Sequence, residues 1–148
     1  GPELFMGYTD ADLTRASFVG DGWFRTGDVG RLDDEGHLTI TDRLKDIIIR
    51  GGENISSREV EDCLSRHPAV SQVAVVGLPD DRYGEKVCAV VVAAADSRPT
   101  LEALVQHCQQ AGLARFKAPA EVVVLDALPM TASGKVRKRD LRVALTGR

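Results

Sequence analysis

Thr131-Ala132-Ser133-Gly134-Lys135 sets a lysine behind a run of small and hydroxyl-bearing residues. Glycine and small neighbours leave backbone N–H groups free to turn toward an anion, and the ammonium adds a mobile point charge. A phosphate loop of the Walker type needs glycine five positions before Gly134 and Ser or Thr after the lysine. Pro129 and Val136 stand there instead, which excludes that motif. Two further stretches carry weaker signals. Gly51-Gly52-Glu53-Asn54 permits a tight turn and close approach of backbone to a ligand, and an ordinary strand-to-helix turn explains it as well. In Gly22-Trp23-Phe24-Arg25-Thr26-Gly27-Asp28 the aspartate can accept two ribose hydroxyls or simply cap a turn.

Other residue types offer little chemistry. Cys63, Cys88 and Cys108 include no Cys-x-x-Cys, and their apolar settings mark them as small buried hydrophobes of a reducing compartment. His37, His67 and His107 have no partner at metal-ligand spacing, so neither a metal site nor a Cys–His nucleophile is expected.

The 148 residues allow one ordinary domain, or one with an appendage, and 43% apolar with 28% charged residues is a globular balance. A net charge of −3 excludes a generally basic nucleic-acid binder. That average conceals a cluster: Lys135, Arg137, Lys138, Arg139 and Arg142 face only Asp140, leaving 14 basic and 21 acidic residues elsewhere. No aromatic residues interleave to stack bases, so a solvated or domain-facing helix side is expected for Arg137 to Arg142. The longest apolar run, Val87 to Ala95, falls short of the about 20 residues that span a bilayer. The opening Gly1-Pro2-Glu3-Leu4 shows no leader, and a cytoplasmic location is expected.

The elements that must position these residues fall into two textures. The first forty residues are glycine-rich, with a short helix expected near Asp10 to Ser17 and a hairpin turn at Asp33-Asp34-Glu35-Gly36. They hold too few apolar residues to bury much alone. Beyond Arg43, the sequence predicts a strand over Asp46 to Arg50, then a helix capped by Ser56 or Ser57 and running to about Arg66. Valine-rich strands follow over Gln72 to Gly77 and Lys86 to Ala94, nearly continuous as if covered on both faces. A helix starts at Thr100 and stops at Gly112, a strand covers Val122 to Leu125, and a last helix covers Lys138 to Leu145 with Leu141, Ala144 and Leu145 on one face. The expected fold is α+β, with a central three-stranded sheet and flanking helices.

Taken together, Gly22–Asp28, then Asp42-Arg43-Leu44-Lys45-Asp46 running into Arg50-Gly51-Gly52-Glu53-Asn54-Ile55, then Pro129-Met130-Thr131-Ala132-Ser133-Gly134-Lys135, resemble the AMP-forming acyl-activating superfamily in order and spacing. That family includes acyl- and aryl-CoA synthetases and non-ribosomal adenylation domains. Gly1-Pro2-Glu3-Leu4-Phe5-Met6-Gly7-Tyr8 is similar to the segment just before the first motif. Asp80 to Glu85 and Phe116-Lys117-Ala118-Pro119 look most like acyl- or aryl-CoA ligases and aryl-acid adenylating enzymes.

The resemblance implies a C-terminal portion: residues 1–42 as the β-rich end of a large N-terminal domain, 43–46 as a hinge, and 47–148 as a mobile C-terminal domain. It implies a two-step ligase using ATP, Mg2+ (bound mainly by the large domain) and CoA, in which acid and ATP give an acyl-adenylate that is passed to a thiol. Asp28 matches the aspartate on the ATP ribose, Arg43 an arginine near that ribose, and Lys45 the hinge position. Gly51, Gly52 and Glu53 match the loop lining the pantetheine channel in thioester formation. Lys135 matches the lysine between the acid's carboxylate and the α-phosphate. The expected partners are the large domain, a carboxylic acid and CoA, with a carrier protein or a stand-alone binding module as alternatives.

Overall fold

The computed structural model describes residues 3–20 and 22–146; Gly1 and Pro2, where the first family-like segment begins, lie outside the described residues. Asp10 caps α1 (Ala11–Ser17) by accepting from the N–H groups of Asp12 and Leu13 at 2.8 and 3.1 Å. Strand β1 (Phe18–Val19) pairs with β2 (Trp23–Phe24), and the rings of Phe5, Phe18 and Phe24 cluster beside them. Strands β3 (Asp28–Leu32) and β4 (Leu38–Arg43) form the second hairpin, whose turn needs Gly36 at φ +84°. Among the described residues of this region only Asp42 is buried, and Trp23 is 78% exposed.

A single 3-10 turn at Leu44–Asp46 leads into the main sheet. Strand β8 (Gly84–Ala93) is its centre. β7 (Val70–Asp80) pairs antiparallel along one edge. The other edge takes β9 (Glu121–Val124) in parallel and, at Gly84, the end of β5 (Ile48–Arg50). β5 in turn pairs with β6 (Glu53–Ile55). The expected three strands are thus the core of a five-stranded sheet. The extra pair arises because Gly51-Gly52 turns a hairpin rather than entering a helix, with both glycines at positive φ of 60° and 87°. Three residues beginning Glu-Asn carry no alternation from which β6 could be read.

Both faces of β7 and β8 are covered, as continuous valine runs require. Val75, Val87, Ala89 and Val91 pack toward α2 (Ser57–Leu64) and α3 (Leu101–Gln110), with Val60, Leu64, Leu104 and Cys108. Ala74, Val76, Leu78, Cys88 and Val90 pack toward α4 (Lys138–Thr146), through Leu141 and Leu145. The period of two sends alternate residues to opposite layers, and each large side chain so buried contributes about 1.5–3 kcal/mol. Ala144, expected on the buried side of α4, is exposed. Ser56 caps α2 by accepting from Glu59 N–H at 3.2 Å, Thr100 caps α3 by accepting from Ala103 N–H at 3.2 Å, and Gly112 (φ +79°) ends α3. All three cysteines are free and buried; burial pushes the Cys88 and Cys108 thiols up to about 12. Among the described residues no helix is long and apolar enough to cross a membrane.

Candidate active site

Asp28 opens β3 and Arg43 closes β4, and antiparallel register sets them opposite each other. Arg43 Nε donates to Asp28 Oδ1 at 2.7 Å, and Leu44 N–H donates to the Gly27 carbonyl at 2.8 Å. The hairpin therefore presents a carboxylate and a guanidinium side by side, one held by the other. The Asp28 carboxylate keeps further acceptor capacity, since a carboxylate has about four lone-pair sites.

Lys135 reaches the same place from the other end of the chain. Its loop is a closed turn: Thr131 N–H donates to the Lys135 carbonyl at 2.8 Å, Gly134 N–H to the Thr131 carbonyl at 3.0 Å, and Lys135 N–H to Thr131 Oγ1 at 3.0 Å. Gly134 at φ +77° makes this turn possible. Val136 bridges Met130, so the turn stands on a short antiparallel stem. The Lys135 side chain forms no ion pair among the described residues and stands exposed. It lines a cleft of about 650 Å³ together with Asp28, Arg43, Asp42, Arg58, Glu61, Asp62 and Lys138.

Of the basic run behind it, expected to form a solvated or domain-facing side, only Arg137 and Arg139 stand exposed. Lys138 Nζ meets Glu61 Oε1 at 2.7 Å and donates to Ser57 Oγ at 2.8 Å, fixing the start of α4 to α2. Arg142 meets Asp46 Oδ1 at 3.0 Å, tying α4 to the turn after the hairpin. Arg137 pairs only with Asp140 at 2.8 Å, and Arg139 is exposed.

Lys45 lines an adjoining cavity of about 800 Å³ that also contains Lys135. Gly51, Gly52 and Glu53 are elsewhere, on the tip of the β5–β6 hairpin. There a Cβ on Gly51 would meet Tyr83 Cδ1 at 3.3 Å, while one on Gly52 would meet nothing within 4 Å. The guanidinium groups of Arg50 and Arg82 each lie over the Tyr83 ring, 4.6 and 5.0 Å from its centroid. A groove of about 620 Å³ between β4, α2 and the end of α3 contains none of the expected site residues.

One residue at the cleft had no role in the sequence. Asp42 is 7% exposed and accepts from Ser56 Oγ at 2.7 Å, Ser57 Oγ at 3.2 Å, Arg58 N–H at 3.2 Å and Arg43 N–H at 2.6 Å. Burial pushes its pKa up, but the Ser56 hydroxyl, the two N–H groups and the Lys138 charge outweigh that, leaving it below the ordinary carboxylate value. Its place in the Asp42–Asp46 motif was the only signal available.

The cleft thus joins a lysine of the α+β domain with the Asp–Arg pair of a separate hairpin. Residues 59–135 match the AMP-binding enzyme C-terminal domain, and the chain belongs to that family. The medium-chain fatty-acid–CoA ligase of Escherichia coli K12 is 46% identical over 144 residues, covering 96% of this chain and 25% of that protein. The chain thus spans about a quarter of the curated relatives' length. ATP-bound MatB from Rhodopseudomonas palustris matches 99% of this chain, and 29% of its own, at 36% identity with a TM-score of 0.89. Apo MatB matches the same shares at 37% identity but with a TM-score of 0.70. The two forms of MatB therefore differ in how well their shape, rather than their sequence, fits this chain.

Proposed function

We propose that the chain is the C-terminal part of an AMP-forming carboxylic acid–CoA ligase, standing in the arrangement for the first half-reaction. The observation that carries this is the meeting of Asp28, Arg43 and Lys135 in one cleft. In the first half-reaction a carboxylate oxygen of the acid attacks the α-phosphorus of ATP, and pyrophosphate leaves with the electrons of the broken P–O bond. Two anions must approach, and a lysine ammonium between them offsets their repulsion. Asp28 accepts the ribose hydroxyls and Arg43 orients that carboxylate. In the second half-reaction a CoA sulfur, having lost its proton, attacks the acyl carbonyl carbon and AMP leaves. Gly51, Gly52 and Glu53 line the thiol's path after the small domain turns about Lys45. The closer fit to ATP-bound than to apo MatB supports the assignment of this arrangement to the first step.

The acceptor is CoA rather than a carrier protein on the strength of the relatives' names. Mg2+ would be held with the ATP phosphates, mainly by the large domain. A cytoplasmic location, which suits free buried cysteines, belongs to the same proposal. Pyrophosphate exchange by the complete protein with a panel of carboxylic acids tests it. Exchange dependent on one class of acid is the expected result, and no exchange with any acid rejects it.

A further inference from the structure

We propose that Asp42 is a positioning residue for the first half-reaction: its carboxylate clamps the N-terminus of α2 to β4, which sets Lys135 in the cleft with Asp28, and the clamp releases for the second half-reaction. This rests on the function proposed above. Asp42 lies on β4 opposite Val29, one residue from the Asp28–Arg43 pair and three before Lys45. Apart from the bond from Arg43 N–H, every bond it accepts comes from beyond Lys45: the hydroxyls of Ser56 and Ser57 and the N–H of Arg58. The linkage continues through the same serine. Ser57 Oγ donates to Asp42 and accepts from Lys138 Nζ, which also pairs with Glu61. Lys138 begins α4, three residues after Lys135.

A turn about Lys45 leaves β4 with the large domain and carries α2 and α4 away. No such rotation preserves these three bonds, so they exist in one arrangement only. Because they are bonds to a buried charge, they bias the equilibrium between arrangements more than neutral contacts would.

The test uses the complete protein. Asp42→Ala is expected to slow adenylate formation, read as pyrophosphate exchange, by about ten- to a hundredfold, as befits loss of charge-assisted hydrogen bonds. The KM for ATP should change little, and conversion of supplied acyl-adenylate to thioester should be unchanged or faster. The double variant Ser56→Ala/Ser57→Ala should show the same split, and it decides the matter if Asp42→Ala does not fold. Equal loss in both half-reactions, or loss in neither, overturns the clamp. Failure of the underlying function is separate: it would appear as a wild-type protein without exchange, or as full exchange by Lys135→Ala.

Discussion

Lys135 is held by its backbone and left free at its tip, which is what a delivered charge requires. Three hydrogen bonds within Thr131–Lys135 fix where the side chain starts, while its ammonium has no ion pair among the described residues. Lys138, three positions on, has the opposite character, its charge neutralised by Glu61 at 2.7 Å. Lys135→Ala in the complete protein should therefore lower adenylate formation by about 10² to 10³, or roughly 2.7 to 4 kcal/mol, as for removal of one preorganised charge-stabilising donor. Thioester formation from supplied adenylate should persist. Separate assays of the two half-reactions check this, and equal loss in both would reject a role confined to one. Asp28, Arg43 and Lys135 were all legible as residue types with a motif around them. Asp42 was not, because a buried carboxylate is recognised by its donors, and those lie on another element.

At the scale of elements, the β5–β6 hairpin separates effects on folding from effects on function. Gly52 sits at φ +87° with open space where a Cβ would project, so a bulky residue meets no wall within this chain. Gly52→Trp should cost stability only through the left-handed backbone, about 1–2 kcal/mol. It should nevertheless stop CoA-dependent turnover while sparing pyrophosphate exchange. A thermal melt beside the two activity assays distinguishes these effects. The contact between the end of α2 and α3 supplies a pH response. His67 and His107 meet edge to face at 5.1 Å, and His67 Nδ1 accepts from Ala69 N–H at 3.1 Å, which needs an unprotonated nitrogen. Burial and then the neighbouring His107 charge hold the His67 pKa below its ordinary 6.5. The folded state thus binds fewer protons than the unfolded one. Stability from this site is complete above about pH 6.5 and is lost as pH falls toward the lowered folded value. Melting temperature should fall between about pH 7 and pH 5, and His67→Asn should flatten that slope.

For the whole molecule, the distribution of burial indicates how it operates. The sheet and its two helix layers have their own core, whereas the described residues of 3–41 include no buried side chain and expose Trp23, Leu32 and Leu38. On the function proposed above, such a face would meet the large domain. The 148-residue chain alone should therefore bind ATP weakly and form no adenylate. Calorimetric titration with ATP checks the first point, and tight binding would show that the cleft is complete without another domain.

Local order was determined by the sequence itself. Asp10, Ser56 and Thr100 cap helices through neighbours two or three positions away, and valine runs form strands wherever they are covered. These preferences act over a few residues, so they can be read without knowing what packs where. The hairpin at Gly51-Gly52, the five-stranded sheet, and the inward turn of Lys138 and Arg142 could not be read in this way. Lys138 meets Ser57 across 81 residues and Arg142 meets Asp46 across 96. Only the tertiary packing of α4 beside α2 and beside the turn at Leu44–Asp46 brings such distant groups within 3.0 Å. That packing also decides where Lys135 stands, because residues so far apart in the chain as Asp28, Arg43 and Lys135 share a cleft only in the folded molecule.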